Sequence, residues 1–472
     1  MESRSTILHA SEPPSFWTAV SDSLKGKQHD YTTGSLGRAI LLLSVPMVLE
    51  MAMESLFGLV DVFFVAHLGS DATATVGITE SIFTLVFAAA LGLGMATTAM
   101  VARRVGEKNR EAAAVAAVQS IALGVVISLV VGILGVLEAP RLLRLMGAST
   151  EIVQTGSAYA RIMLGGSGTV FLLFLINAIF RGAGDPAIAM RVLWIANAIN
   201  IVLDPCLILG LGPFPELGVT GAAVSTTIGR SIGVMLQLWY LFSPRNTVTI
   251  RRSQLVLDVD VMKRLIRTGA NGMFQYLVAT ASWLALVRLV ARFGADALAG
   301  YTIAIRIIVF AILPSWGMSN AAATLVGQNL GAQRPDRAEQ AVWRTGFYNM
   351  AFLGCVAIVF IAFARPIVAQ FTSEPAVQTL AAECLRFVSY GYVFYAWGMV
   401  MVQAFNGAGD TATPTLINIG CYWLWQIPLA YVLSNTVMGP RGIFLAIVIS
   451  ESTLAVVGML AFRRGGWKNQ KV

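Results

Sequence analysis

Residues 182–185 read Gly-Ala-Gly-Asp, and the same four residues return at 407–410, which is 225 positions later. No gap is needed to extend this offset back from residue 185 to residue 69. The further residues that it aligns are Gly69 with Gly294, Asp71 with Asp296, Gly92 with Gly317, Gly106 with Gly331, and Arg161 with Arg386. Such self-similarity at a fixed offset indicates that the chain is an internal repeat of two halves.

The composition places this repeat in a membrane. Of the 472 residues, 56% are hydrophobic and only 12% are Asp, Glu, Lys or Arg. Soluble domains carry about 25% charged residues, so the composition argues against a water-soluble globular enzyme. A transmembrane helix needs about 20 mostly apolar residues, and the sequence contains twelve such segments. They are predicted at 38–66, 72–101, 113–137, 156–180, 187–210, 219–242, 265–292, 298–327, 339–363, 380–405, 411–435 and 442–462.

The spans and the repeat together predict the fold class. Each half of the chain holds six spans, and because six is an even number, both halves enter the membrane in the same orientation. We therefore predict an all-α polytopic membrane protein with twelve transmembrane helices in two six-helix lobes that are parallel repeats. Many transporters are built from such repeats, with the substrate cavity between them.

Polar segments mark the predicted boundaries between these units. A tail at 1–37 precedes the N-terminal lobe at 38–242, and a linker at 243–264 leads to the C-terminal lobe at 265–462. A second tail follows at 463–472. The linker, SPRNTVTIRRSQLVLDVDVMKR, is the longest polar connection between spans.

The basic residues predict the orientation of the chain rather than a nucleic-acid partner. The net charge is +8, and 23 of the 33 Lys and Arg residues lie in the two tails and in alternate loops with their flanking helix ends. Only five lie in the opposite loops and helix ends. The positive-inside rule then places both termini in the cytoplasm. We expect a multi-pass protein of the plasma (inner) membrane, surrounded by membrane lipids and binding no nucleic acid.

Acidic side chains inside the first and fifth spans distinguish the N-terminal lobe from its repeat. Asp61 in the first span aligns with Leu286, and in the fifth span Asp204 aligns with Leu429. A charge at mid-membrane costs from about 2.5 to more than 10 kcal/mol by different estimates. These carboxyl groups must therefore face protein or water and not lipid.

Other oxygen-bearing side chains share the helix faces of the two aspartates. At about 100° per helical residue, one face of the first span carries Glu50, Glu54 and Asp61, and one face of the fifth carries Asn197, Asn200 and Asp204. Carboxylate and amide oxygens suit hard cations, and carboxyl groups also exchange protons. The pattern predicts a site for Na⁺ or protons. The alternative, which stays open for Glu50 and Glu54, is a polar network that holds the helices together.

The segments around these acids resemble a known transporter family. They are Pro46 with 60–69, then 181–186, 200–205 and 218–226. Their order, spacing and duplication are similar to those of the MATE (multidrug and toxic compound extrusion) transporters, and the resemblance covers about 35–465. It implies two six-helix lobes that open alternately to either side of the membrane. It also implies the exit of organic cations and other toxic compounds in exchange for Na⁺ or H⁺.

Within that family the chain most resembles the DinF-like branch. There a first-helix Asp, an Asn-x-x-x-Asp on the fifth helix and a nearby sixth-helix Thr form the cation site. The resemblance therefore implies Asp61, Asn200, Asp204 and Thr226 as the cation-coupling residues. If the ion is Na⁺, the first three of these would hold it.

Three further positions are predicted as accessory to this site: Glu50, Glu54 and Asn197. The NorM branch of the family adds acids in the seventh and tenth helices. The predicted seventh span has no acid, and the tenth has only Glu383, near its entrance. This departure argues against a NorM-type cation site in the C-terminal lobe.

The expected function is secondary active efflux of small amphipathic or cationic, drug-like compounds, performed by a monomer. Na⁺ or H⁺ is the coupling ion, and we expect neither a cofactor nor catalytic residues. An alternative with the same architecture is a flippase for lipid-linked precursors, which should prefer a cationic groove to an acidic one. A channel would need a continuous ring of pore-lining charges, and the charges here are asymmetric. Neither HExxH nor the phosphate-binding pattern GxxxxGK[ST] occurs, so a metalloprotease and an ATP-driven pump are not supported.

Overall fold

Long helices connected by short loops make up the computed structural model, which describes residues 16–26, 29–244 and 246–470. Twelve helical segments follow one another in the predicted order within these residues, and the predicted fold class is confirmed. In the N-terminal lobe the six spans are Leu36–Ala66, Ser70–Gly106, Arg110–Leu145, Thr150–Gly165 with Ser167–Ala183, Pro186–Ile208 and Val219–Phe242.

The C-terminal lobe repeats this series, with one irregular span. Its spans are Val259–Ala291, Ala295–Gly331, Pro335–Val368, Pro375–Tyr390 with Tyr392–Ala408, then Ala412–Asn418 with Ile419–Gln426 and Ile427–Ser434, and finally Pro440–Arg463. The middle part of the eleventh span, Ile419–Gln426, is a π-helix. Short π-helical stretches are rare, and the corresponding fifth span has none among its described residues.

Length and composition alone support ten of these twelve segments as membrane spans in the described part of the chain. The sixth and tenth spans fall outside this criterion. Their repeat counterparts, the twelfth and fourth spans, satisfy it. Since the two halves share one topology, we assign the sixth and tenth segments to the membrane as well.

Several helices extend beyond the apolar stretches that predicted them. The second span continues to Gly106 and carries Arg103 and Arg104 in its last turn, where cations interact favourably with the helix dipole. The seventh helix begins at Val259, inside the predicted linker. Its start is set by Asp258, whose side chain accepts hydrogen bonds from the backbone N–H groups of residues 260 and 261 at 3.0 and 3.1 Å. A short helix, Phe16–Lys25, lies within the predicted N-terminal tail.

The duplicated Gly-Ala-Gly-Asp motif ends a helix in each lobe. Gly184 follows the fourth span and Gly409 follows the tenth, and both have φ of +86°. Glycine adopts this left-handed conformation at little cost, which explains its use after a helix. The motif therefore forms a tight turn, and its two copies show that the repeat extends to backbone conformation.

Repeat-related glycines bring the two lobes into close contact. A Cβ atom on Gly92 would collide with the backbone of Met273 in the seventh span, and one on Gly317 would collide with the backbone of Met47 in the first. In each lobe, therefore, a helix of the other lobe packs against a glycine at the equivalent position of the repeat. Small residues permit such close approach of helices in membranes.

A second glycine pair closes the lobe interface at the end of the bundle that carries the chain termini. Gly106 lies against the backbone of Gln328, and its repeat partner Gly331 lies against the backbone of Arg103. Gln328 also donates from Nε2 to the Gly182 carbonyl at 3.0 Å. We call this the terminal end of the bundle, and the opposite side the outer end.

Labelling of single cysteines is expected to confirm the orientation of these ends. Asn109 and Gln333 are exposed in loops at the terminal end, whereas Ser70 and Ala295 are exposed at the outer end. We expect cysteines at the first two positions to react only with reagent on the cytoplasmic side, because basic residues accumulate there. Cysteines at the other two should react from outside. Labelling of Asn109→Cys and Ser70→Cys from the same side would contradict the twelve-span topology.

Candidate functional site

A cavity of about 170 Å³ lies inside the N-terminal lobe, between its first, second, fourth and sixth spans. Aromatic and aliphatic side chains form part of its wall. Its polar lining residues are Glu54, Asp61, Thr79, Glu80, Tyr159, Thr226 and Arg230. Two of the four predicted coupling residues, Asp61 and Thr226, therefore face the same cavity.

Helical periodicity explains which side chains line this cavity. On the first span, Glu54, Gly58 and Asp61 are four and then three residues apart, so they lie on one face of the helix. On the second span, Phe83 and Phe87 are separated by one turn and lie on the same face as Glu80. The first span thus contributes a mainly polar face to the cavity, and the second span contributes two aromatic rings beside Glu80.

The other two predicted coupling residues form a hydrogen-bonded network with the sixth span. Asp204 is fully buried, and its Oδ1 accepts a hydrogen bond from the Ser225 hydroxyl. In the amide orientation that satisfies its neighbours, Asn200 donates to Asp204 Oδ2 at 3.0 Å. Its amide oxygen accepts from the N–H and the hydroxyl of Thr226 at 2.9 and 3.1 Å. The structure therefore brings Asn200, Asp204 and Thr226 together.

Asp61 is linked to this network electrostatically. It is half-buried at the cavity wall, and Asp204, Glu80 and Arg230 are charged groups close enough to act on it. Two carboxylates in a site of low polarity repel each other, and a bound cation or proton relieves that repulsion. The surrounding carboxyl, amide and hydroxyl oxygens are also suitable ligands for a hard cation. The arrangement can therefore bind Na⁺ or exchange a proton.

Glu50 lies in a separate network away from the cavity. Its Oε1 accepts hydrogen bonds from Arg181 Nη1 and Asn177 Nδ2, both at 3.1 Å. Gln237 in turn donates to Asn177 Oδ1 at 2.6 Å. These contacts join the first, fourth and sixth spans. They agree with the alternative considered for Glu50, a polar network that holds the helices together. The accessory role of Glu50 in cation binding stays a prediction.

Glu54 and Asn197 form a third group. Asn197 Nδ2 donates to Glu54 Oε2 at 3.2 Å, and Arg230 Nη2 donates to Glu54 Oε1 at 3.3 Å. Asn197 shares a helix face with Asn200 and Asp204, but its hydrogen bond to Glu54 links it to the first span. Only Glu54 of this pair also lines the cavity.

Several residues of the site were not predicted from the sequence, among them Ser225, Tyr159 and Glu80. Ser225 precedes Thr226 and bonds to Asp204, and Tyr159 lines the cavity from the fourth span. No sequence pattern identified either of them. Glu80 could have been found, because it is an acid inside an apolar span and the cost of an intramembrane charge applies to it as it does to Asp61.

A smaller cavity of about 70 Å³ lies between the lobes. Met51 and Arg181 line it from the N-terminal lobe, and Trp316, Asn320 and Gln403 line it from the C-terminal lobe. Both repeats therefore contribute to a central space, which is the arrangement predicted for a substrate pathway between parallel repeats.

Comparisons with known proteins agree with this architecture. The MatE sequence family matches residues 46–206 and 273–432, one segment in each lobe. The probable multidrug resistance protein NorM of Thermotoga maritima is 26% identical over 436 residues, which cover 92% of this chain and 94% of that protein.

Solved structures show the same fold. A crystal structure of MATE in the straight conformation has a TM-score of 0.87 and 28% sequence identity, covering 93% of this chain and 98% of that one. A crystal structure of MATE in the bent conformation has a TM-score of 0.85 and 28% identity, covering 94% and 98%. None of these similarities selects a branch of the family, so the likeness to the DinF-like branch stays a prediction.

Proposed function

The chain belongs to the MATE family of transporters, and we propose that it exports small amphipathic or cationic compounds in exchange for Na⁺ or H⁺. Its family makes it a multidrug-type efflux transporter of the membrane and not an enzyme. The coupling ion and the antiport cycle are the proposed parts. We further propose that the protein works as a monomer in the inner membrane, with both termini in the cytoplasm.

The observation that carries the proposal is the position of two carboxyl groups in the N-terminal lobe. Asp204 is buried in a network of amide and hydroxyl groups, and Asp61 lies close to it at the wall of the cavity. Ionisable groups inside a membrane are expensive and are usually functional. A site that binds a cation and opens to a cavity within the same lobe is what an ion-coupled exporter requires.

Alternating access is supported by the asymmetry of the lobe interface. Among the described residues, the hydrogen bonds between the lobes lie at the terminal end, for example from Thr324 Oγ1 to the Arg181 carbonyl at 3.0 Å. The close contacts of Gly106 and Gly331 lie there too. The structure is therefore closed at the terminal end, which corresponds to one half of an alternating-access cycle.

The first span is the proposed moving part. Pro46 lies inside its helix and cannot donate the usual backbone hydrogen bond. The existence of straight and bent conformations in crystal structures of MATE with the same fold supports a conformational change in this architecture. In our proposal, bending or shifting of the first span changes the size of the N-terminal cavity.

The flippase alternative is disfavoured by the charges around the cavity. Three acids, Glu54, Asp61 and Glu80, line it together with a single basic residue, Arg230, counted over the described residues. A groove for the phosphate-bearing headgroup of a lipid-linked precursor should show the opposite balance. The cavity thus favours cationic groups.

Transport by reconstituted protein tests this function directly. Purified protein in liposomes should move a fluorescent organic cation when an inward Na⁺ gradient or an inward H⁺ gradient is imposed separately. We expect one of the two gradients to drive export well above the rate with no gradient, because an antiporter needs its coupling ion. Unitary currents in a planar bilayer would show a channel and contradict the proposal. A transport rate that neither gradient changes would exclude coupling to Na⁺ or H⁺.

A further inference from the structure

Residues 29–35 run across the boundary between the two lobes at the terminal end of the bundle, and we call them the strap. They lead directly into the first span at Leu36, so they belong to the N-terminal lobe. None of them is helical, yet Tyr31 and Thr32 are buried, with 4% and 6% of their surface exposed. Irregular segments normally lie at the surface, because their backbone groups lack partners within the segment. The burial of the strap therefore depends on partners from elsewhere in the chain.

Two arginines of the C-terminal lobe bind the backbone of the strap. Arg337 donates from Nη1 to the Gly34 carbonyl at 3.0 Å and from Nη2 to the Thr33 carbonyl at 2.7 Å. Arg334 donates from Nη1 to the Thr32 carbonyl at 2.7 Å. Hydrogen bonds from charged donors are stronger than those between neutral groups. Three consecutive carbonyls of the strap are thus held by side chains of the opposite lobe.

The internal repeat shows that these two arginines are not required to begin a helix. The offset of 225 aligns Arg334 with Asn109 and Arg337 with Ala112. Asn109 caps the third span, since its side chain accepts a hydrogen bond from the backbone N–H of Ala112 at 2.9 Å. Arg334 precedes the ninth span in the same position, but its side chain makes no capping hydrogen bond within the described part of the chain. The C-terminal lobe thus carries two side chains that contact the other lobe in place of a local cap.

On the side of the N-terminal lobe, Tyr31 holds the strap. Its hydroxyl donates to the carbonyl of Gly184, in the turn that ends the fourth span, at 3.1 Å. Its ring lies so close that a Cβ atom on Gly184 would be 2.7 Å away, and the same Cβ would be 3.1 Å from Nε2 of Gln328 in the eighth span. Tyr31 also shares an apolar cluster with Leu325 and Ala341 of the eighth and ninth spans. The strap is therefore fixed to both lobes where they meet.

The end of the described chain makes a similar connection in the other direction. Trp467 is fully buried and stacks on Phe462 at a centroid distance of 4.5 Å, which fixes this segment to the C-terminal lobe. Arg103 of the second span donates from Nη2 to the Gln470 carbonyl at 2.9 Å. Here too an arginine of one lobe binds irregular backbone that belongs to the other. Contacts of one kind therefore cross the terminal end twice.

We propose that the strap is a latch: the terminal end stays closed while the strap is bound to Arg334 and Arg337, and the strap must detach before the protein opens to the cytoplasm. This inference rests on the alternating access and the cytoplasmic orientation proposed above. Separation of the lobes at this end would pull the strap, which moves with the first span, away from the ninth span. The bonds from the arginines therefore stabilise the closed state alone and shift the equilibrium by that difference. Weakening them should raise the fraction of protein that is open to the cytoplasm.

The reactivity of a cysteine in the central cavity reports this fraction. Gln403 lines the cavity between the lobes and is 6% exposed. In a background with the four native cysteines replaced by alanine, Gln403→Cys should react with a membrane-impermeant maleimide on the cytoplasmic side only when the terminal end opens. The rate of labelling is then proportional to the open fraction, even when that fraction is small. Inside-out membrane vesicles that contain the full-length protein provide the required access.

Arg337→Ala should accelerate labelling of Gln403→Cys about ten-fold, because a charged donor to two carbonyls of the strap is lost. Arg334→Ala should accelerate it by a smaller factor of about three, since it removes one such bond from a more exposed side chain. Arg344→Ala is the matched control. Arg344 lies two turns further along the same helix, is exposed, and makes no hydrogen bond to the strap within the described residues. Its loss should leave the labelling rate unchanged.

A native cysteine distinguishes release of the strap from general loosening of the fold. Cys384 is fully buried inside the C-terminal lobe. Kept as the only cysteine, it should react no faster in Arg337→Ala than in the unmodified protein. Equal acceleration at Cys384 and at Gln403→Cys would show loss of packing and would count against the latch. Unchanged labelling of Gln403→Cys in both arginine variants, or an equal acceleration in Arg344→Ala, would overturn it.

Export assays separate this inference from the proposed function. If Na⁺- or H⁺-driven export persists while the loss of Arg334 or Arg337 leaves the labelling rate unchanged, only the latch is refuted. If neither gradient drives export, and Gln403→Cys does not react from the cytoplasmic side in any variant, alternating access itself fails and the latch fails with it.

Discussion

Asp61→Asn and Asp204→Asn are each expected to abolish ion-driven efflux without preventing insertion into the membrane. Asparagine has nearly the same shape as aspartate, and at position 204 it keeps one of the two oxygens that accept hydrogen bonds from Ser225 and Asn200. A neutral amide cannot alternate between charged and neutral states, and it binds a cation weakly. Coupling between two sites is typically worth about 5- to 150-fold in binding affinity, and without it export should fall to the rate measured with no gradient. Gradient-driven export from liposomes measures the effect.

Two controls define what this loss would mean. Asp71→Asn changes an exposed acid in the first turn of the second span and should leave transport unaltered. Gln275→Ala, in the seventh span, should have a mild effect, because the corresponding position in the first span is Glu50 and not a cavity residue. Equal loss from the Gln275 and Asp61 variants at normal protein levels would show that the lobes share the ion site.

The second large effect is expected in equilibrium binding. Raising Na⁺, or lowering the pH if protons are the coupling ion, should weaken binding of a cationic substrate. The ion relieves the repulsion between Asp61 and Asp204 and lets their helices approach. This approach would bend the first span near Pro46 and shrink the cavity. The expected change in the dissociation constant is about 5- to 150-fold.

The structure explains why the coupling ion and the substrate should weaken each other's binding. Asp61 and Thr226 belong to the proposed ion site and also line the cavity, so an ion bound there alters both the charge and the shape of the space open to a substrate. Each ligand shifts the conformational equilibrium only by its different affinity for the two states.

Binding of rhodamine 123 should therefore be measured while Na⁺ replaces K⁺ at constant ionic strength, and separately across pH. The dependence of rhodamine 123 affinity on Na⁺ or pH should vanish in Asp61→Asn, provided that this variant still binds the probe. Tighter substrate binding with increasing ion in the unmodified protein would indicate symport and contradict the exchange mechanism.

Much of the fold could be predicted from local properties of the sequence. The sixth span was predicted at 219–242, and the helix observed is Val219–Phe242. Hydrophobic length identifies a span without knowledge of its neighbours, because the membrane sets the length that is needed. The repeat offset likewise identified Gly92, Gly106 and their counterparts before their contacts with the opposite lobe were known.

The main aspartates could be identified for a similar reason. Placing an acid inside an apolar membrane segment costs free energy wherever its side chain points. Asp61 and Asp204 could therefore be identified from the sequence alone. The same rule applied to Glu80 would have found it as well.

The partners of the polar side chains were decided only by the tertiary structure. Helical periodicity states which residues share a face, but it does not state which helix that face meets or at what depth. For this reason Glu50 pairs with Arg181, and Asn197 bonds to Glu54 although it shares a face with Asp204. The sequence alone thus determined the number of helices, their duplication and the presence of buried acids. Packing decided which acids pair with arginine and which line the cavity, and Glu54 does both. Such pairing depends on distances between helices that are far apart in the chain.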